Sequence, residues 1–179
     1  MSSRSVYLAK YRHTASQRTH FAIFIPNLSL EGRHVGSDFR SMSTQGTIIN
    51  VVGEPLLAGY TLEIERNYEC KEQRDLRELV FLGFIEAGNV FEPENTDHVN
   101  GDKPRCTIEE EAARVRPPPR GQDVRAPIDG VNTKRCQEWT MEFLTRLVEK
   151  DLIHPDAVDI AQAHRDAPTH GIFGYKDGK

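Results

Sequence analysis

The sequence is short of cysteine, poor in aromatic residues, free of long apolar runs and without a dominant charge sign, and these shortages close off several classes of protein. Its three cysteines, Cys70, Cys106 and Cys136, are too few and too scattered for a disulfide framework, and their odd number leaves at least one thiol free. A reducing compartment fits best, so a cytoplasmic location is expected. No CxxC pair, HExxH motif or compact Cys/His cluster is present, so neither a metal nor a cofactor is expected. His98 and Cys106 could share an ion, but two loop residues need no such purpose. No run reaches the roughly 18 apolar residues that cross a bilayer. Arg4, Lys10 and Arg12 also interrupt the N-terminal stretch before a signal-peptide core develops, so neither a membrane span nor ordinary secretion is expected. With 27 acidic against 23 basic residues, the net charge of −4 gives no basic footprint, and nucleic acid is not an expected partner.

What is present suffices for one core. A chain of 179 residues, 37% of them hydrophobic, reads as a single domain, 1–179. Val6 to Tyr11 alternates as a short strand. Thr19-His20-Phe21-Ala22-Ile23-Phe24-Ile25 is almost continuously apolar and β-prone, and Pro26-Asn27 stops it, which predicts a central strand covered on both faces with a histidine at its entrance. Leu28 to Gln45 has no sustained period and reads as a loop. Gly46 to Gly53 is the next strand, with Asn50 its one polar interior residue. Tyr60 to Arg66 alternates strictly, with Tyr60, Leu62 and Ile64 inward. Leu79 to Ile85 reads as a strand, although Asp75 to Phe84 would also suit a helix followed by a short strand.

From 86 to 132 the character changes to a loop-rich insertion. Thr107 to Val115 suits a short helix opened by a Thr107–Glu110 capping box. Arg116-Pro117-Pro118-Pro119-Arg120-Gly121 must be extended, and a solvated linker explains it without a proline-reading partner. The next helix opens at Cys136, with Asn132 or Thr133 as its cap, and carries Trp139, Thr140, Phe143 and Leu147 on one face. Cys136 begins that same face, so its thiol is turned toward the sheet. Pro155 starts a last helix, Asp156 to His164, and an irregular tail occupies 169–179.

A thiol in the first turn of a helix feels the positive end of the macrodipole, which favours the thiolate. A cysteine nucleophile also needs a base, a group that orients the base, and donors for an oxyanion. His20 is the candidate base. If the His20 and Asn50 strands pair antiparallel, the beginning of one lies beside the end of the other, and Asn50 can accept the imidazole N–H. Backbone amides at the start of the Cys136 helix are natural oxyanion donors. The bland alternatives are a small hydrophobe on a helix face, a strand-entrance histidine at the edge of the core, and an asparagine satisfying backbone at a bulge.

The order strand histidine, strand polar residue, cysteine opening a helix resembles the circularly permuted branch of the papain-like superfamily, which includes lecithin:retinol acyltransferase-like proteins and PPPDE peptidases. The segments His20 to Pro26, Gly46 to Gly53, Tyr60 to Tyr68 and Arg135-Cys136-Gln137-Glu138-Trp139-Thr140 resemble a family of small, mostly uncharacterised fungal proteins, from Val6 to about Gly171. Many relatives carry histidine where this chain has Asn50. The resemblance implies an α+β fold, an antiparallel sheet of about five strands with the Cys136 helix packed on it. It also implies thiol-dependent acyl transfer, by hydrolysis or to an acceptor, with Cys136 as nucleophile, His20 as base and Asn50 as orienting residue. The partner would be a small-molecule or acyl substrate: a peptide, thioester, ester or biosynthetic metabolite. The rival expectation is a binding or structural domain on the same scaffold without catalysis. Oligomeric state is not legible.

Overall fold

The computed structural model describes residues 2–172 and Gly174. Of the expected tail, Phe173 and 175–179 lie outside the described residues. The fold is α+β. Six strands, β1 (Ser3–Tyr11), β2 (His20–Pro26), β3 (Gln45–Glu54), β4 (Gly59–Glu69), β5 (Leu76–Glu86) and β6 (Val99–Gly101), form one open antiparallel sheet in the order β5-β1-β2-β3-β4-β6. The expected count of about five falls short by β6, a three-residue, wholly exposed edge strand inside the 86–132 insertion that pairs Val99 with Arg66. Three exposed residues carry too little apolar periodicity to register as a strand. Asp75 to Phe84 contains no helix; β5 runs from Leu76 and lies beside β1, so the chain crosses the sheet after β4.

Alternation along β2 explains its unbroken apolar run. Phe21, Ile23 and Ile25 face the main core, while Ala22 and Phe24 face a second cluster with Tyr7, Ile48, Tyr68 and Leu79. The Leu28 to Gln45 segment is what closes that second face. Its short helix α1 (Val35–Asp38) and the following residue set Val35 and Phe39, 1% and 4% exposed, onto the sheet. Its polar sequence hid a covering role behind two apolar residues.

The main core is closed by α2 (Thr107–Ala113), α3 (Cys136–Glu149) and α4 (Asp156–Ala163). Trp139, fully buried, anchors α3: its indole stacks near Phe143 at 5.3 Å and donates Nε1–H to the Val115 carbonyl at 3.1 Å. Two expected caps differ. Cys106, not Thr107, is the N-cap of α2, and Glu109 rather than Glu110 reaches back, accepting the Arg105 amide at 2.7 Å while paired with Arg66 at 2.5 Å. The N-cap of α3 is Arg135, whose amide donates to Glu138 Oε1 at 2.8 Å; Thr133 belongs to the preceding turn, where Asp129 accepts its amide at 3.0 Å. In both cases a glutamate in the helix's own first turn reaches back to a preceding amide, in place of the expected threonine or asparagine cap.

The proline stretch is exposed over most of its length, as expected of a linker, but it is also tied down. Pro118 is buried and its carbonyl accepts the Tyr60 amide at 3.0 Å, while the Gly121 and Gln122 amides bond Leu56 and Pro55 at 2.9 and 3.0 Å. Gly59, with φ of 71°, permits this approach, since a Cβ there would meet the Arg120 amide nitrogen at 2.8 Å. The stretch thereby delivers the chain from α2 to the start of α3.

Candidate active site

Pairing between β2 and β3 runs from Pro26↔Gly46 to Ile23↔Ile49 and stops. Beyond it, His20 to Ala22 and Asn50 to Gly53 do not pair with one another, and the sheet opens at this end. Continuing the register sets Asn50 across from Ala22, a diagonal neighbour of His20 on the same face. The side chains meet: Asn50 Nδ2 lies 2.9 Å from His20 Nε2. The other face of the imidazole is bounded by Tyr11, the direct β1 partner of His20, at 5.6 Å between ring centroids. Asn50 Oδ1 is buried with no hydrogen-bond partner among the described residues.

Cys136 reaches the same opening from the helix side. Its Sγ donates to the Thr19 carbonyl at 3.9 Å, and the Phe21 amide also points at the sulfur. The thiol therefore lies against the backbone immediately flanking His20. Cys136 and His20 border one cavity of about 620 Å³, with Thr19, Val51, Tyr60 and Arg135 among the other lining residues. They do not form a direct hydrogen bond: the thiol is directed to Thr19 and the imidazole to Asn50. Strand alternation accounts for the separation, because His20 and Asn50 share the face of Ala22 and Ile48, whereas Cys136 belongs to the core cluster with Phe21 and Val51.

Burial governs the protonation of both groups. It pushes the Cys136 thiol up to about 11, overcoming the Phe21 amide and the Arg18 charge that favour the thiolate. It pushes the His20 imidazole down to about 4. At neutral pH the resting pair is a thiol and a neutral imidazole. The helix-dipole argument for a standing thiolate is thus outweighed by loss of hydration. Cys106 is likewise raised to about 11, and Cys70 is raised further, both by burial first.

A clamp invisible to sequence reasoning joins the two elements. Asp166, beyond α4, accepts the Thr19 amide at 2.7 Å and the Gln137 side-chain amide at 2.8 Å. Gln137, fully buried, donates to the Thr19 carbonyl at 2.9 Å and accepts the Asp166 amide at 3.0 Å. Thr19 is thus held at both its N–H and C=O by residues adjoining Cys136 and His164. Gln137 was adjacent to the cysteine in sequence, but nothing in the Arg165-Asp166-Ala167 stretch announced a structural anion.

Among the described residues, no three His, Cys, Asp or Glu side chains gather to hold a metal, and His98 Nε2 lies 3.3 Å from Glu65. No helix of the described residues is long and apolar enough to cross a membrane. Residues 6–154 match a protein family described as Family of unknown function (DUF6540). The chain belongs to that family. The matched span contains all of His20, Asn50 and Cys136 but ends before Asp166. Neither the curated proteins nor the solved structures contain a significant match.

Proposed function

We propose that the chain is a thiol-dependent acyl-transfer enzyme with Cys136 as nucleophile, His20 as base and Asn50 as the residue that orients the base, in a permuted papain-like arrangement. The observation that carries this reading is the convergence of Cys136 and His20 on one cavity at the parted end of β2 and β3, with Asn50 2.9 Å from the imidazole. Catalysis starts from the neutral pair. The thiol turns from the Thr19 carbonyl toward the cavity, His20 takes its proton as sulfur forms a bond to the substrate carbonyl carbon, and the C=O π pair moves to oxygen. The oxyanion collapses, the bond to the leaving group breaks, and His20 returns the proton to that group. Water or another acceptor then attacks the acyl-sulfur bond with His20 as base, restoring the thiol.

Asn50 must present Oδ1 to an Nε2–H for this, which leaves Nδ1 with its lone pair free. The two ends of the amide are isosteric, and in this orientation the oxygen gains a partner. A peptide, thioester, ester or small metabolite could supply the carbonyl.

The test is acylation by a simple aryl ester, read by intact mass and peptide mapping. A single acyl group on Cys136 is expected, with the rate reduced roughly 100-fold or more by His20→Ala and to a lesser degree by Asn50→Ala. Acylation spread evenly over Cys70, Cys106 and Cys136, or unchanged by His20→Ala, would overturn the reading. That result would favour the second one, a binding domain without catalysis. The direction of the thiol toward Thr19 and the cost of ionising it both support this alternative.

A further inference from the structure

The cavity has a charge pattern that catalysis by a thiol and an imidazole does not require. Among the described residues Arg18 and Arg135 line it and no aspartate or glutamate does, and Val51, Val52, Val124 and Ile172 supply apolar wall. Glu138, itself 4% exposed, is not among the lining residues but is bonded to Arg18 and to the Arg135 amide. Its carboxylate is already engaged by Arg165 at 2.7 Å, by Arg18 at 3.4 Å and by the Arg135 amide at 2.8 Å. Two guanidinium groups and one backbone amide thus share this carboxylate.

The two lining arginines are differently committed. Arg18 gives its terminal nitrogens to the Ala167 and His170 carbonyls at 2.8 and 3.3 Å and to Gln137 and Glu138. Arg135, only 8% exposed, gives Nη1 to Gln122 Oε1 at 2.9 Å and to the Lys134 carbonyl at 3.2 Å. The N–H groups of its Nη2 and Nε have no acceptor among the described residues and remain for a ligand, in the fork geometry that suits a planar or tetrahedral oxyanion. The Tyr60 phenol, kept protonated by burial, lies close enough to feel both Arg135 and Cys136 and adds a hydroxyl donor. Neither nitrogen of Arg135 is among the sealed, unpartnered polar atoms of the described residues, so both are open to the cavity that Arg135 lines, and an anionic ligand there can accept from them.

We infer that the cavity selects an acyl substrate bearing a carboxylate or phosphate beside an apolar body, the anion seated on Arg135 and Tyr60 and the apolar part on the valine wall. This rests on the acyl-transfer reading for the word substrate, but the anion site stands on its own residues. Arg18 acts as a fixed positive charge behind it.

Two measurements separate the two ideas. Binding of hexanoate, hexyl phosphate and the neutral isostere hexanamide is followed by thermal shift and calorimetry in the wild type and in Cys136→Ala. At least one anion should bind tenfold or more tighter than hexanamide in both proteins, a preference that about 1.4 kcal/mol of charge-assisted hydrogen bonding provides. Arg135→Gln should remove the preference. If that variant does not fold, Tyr60→Phe should weaken it, and the wild-type comparison alone remains decisive. Acylation of Cys136 by an aryl glutarate half-ester is then compared with that by the matching aryl pentanoate, and the charged ester should react faster. Equal binding of anions and hexanamide, or a faster pentanoate, overturns the anion site even when Cys136 is acylated. Tight anion binding without acylation would leave the site standing and remove the enzyme.

Discussion

Alkylation of Cys136 as a function of pH tests whether burial or the helix dipole controls the thiol. With its pKa pushed up to about 11, the thiolate at pH 7 is roughly one part in ten thousand, against a few per cent for a free cysteine near 8.5. Iodoacetamide reacts with the thiolate, so native Cys136 should be modified roughly 300-fold more slowly than in the unfolded chain at pH 7 from ionisation alone. The rate should climb about tenfold per pH unit from 7 to near 10. The assay is peptide mass spectrometry after short exposures under native conditions, with the denatured protein as reference for all three cysteines. His20→Ala should change the profile little, because a neutral imidazole holds no thiolate. Rapid labelling that is flat from pH 5 upward and collapses in His20→Ala would refute the reasoning. It would show a standing thiolate-imidazolium pair in which the charges stabilise one another more than burial costs them.

Two other perturbations bear on the frame around the site. Asp166→Ala removes a partly buried acceptor from the Thr19 amide, Gln137 and Arg12, so unfolding by denaturant should show a loss of roughly 1–2 kcal/mol, with Cys136 acylation slowed beyond what the stability change alone accounts for; unchanged stability would dismiss the clamp. His20 binds its proton near 6.5 when unfolded and about 4 when folded, so the unfolded state holds more protons between those values and stability should rise with pH across that window. Melting temperature should therefore fall as pH drops from 6.5 to 4, in the same direction as the loss from Asp166, whose carboxyl is held below its usual range by the Thr19 amide and Gln137 despite its burial. His20→Gln should flatten the upper part of that slope, and an unchanged slope would count against a buried neutral imidazole.

The sheet was legible because its strands carry their own period. Tyr60, Leu62 and Ile64 lie on the core side of β4, and the double-faced run Phe21 to Ile25 is covered on both faces, as composition and alternation require. What escaped depended on single contacts outside any repeating pattern. The caps of α2 and α3 are made by Glu109 and Glu138, and the cover on the second face by Val35 and Phe39, none of which stands in a repeating pattern. The capping rules name the residue types that can satisfy an orphan amide, but here Glu109 and Glu138, four and three residues along from the amides they accept, close the caps in place of the expected Thr107–Glu110 box and of Asn132 or Thr133.

The site shows the same division. Antiparallel pairing brings the start of β2 to the end of β3, so the meeting of His20 and Asn50 follows from strand order. The face they share also follows from order, through the period of two, and it is not the face that carries α3. For Cys136 to meet His20 at all, the sheet has to open, and the point where pairing stops, after Ile23↔Ile49, is what allows a helix tip to reach the edge of β2. Backbone groups of Thr19 and Phe21 freed by that opening would be orphaned without replacements. Gln137, Asp166 and the Cys136 sulfur take those places. The same three groups that repair the broken ladder fix the thiol beside the histidine strand, so the strength of the clamp and the placement of the thiol are one physical quantity. Loosening the clamp should therefore both destabilise the fold and free the sulfur from Thr19, which makes Asp166→Ala the variant in which native alkylation of Cys136 should become faster while acyl transfer, which needs the thiol held in place, becomes slower.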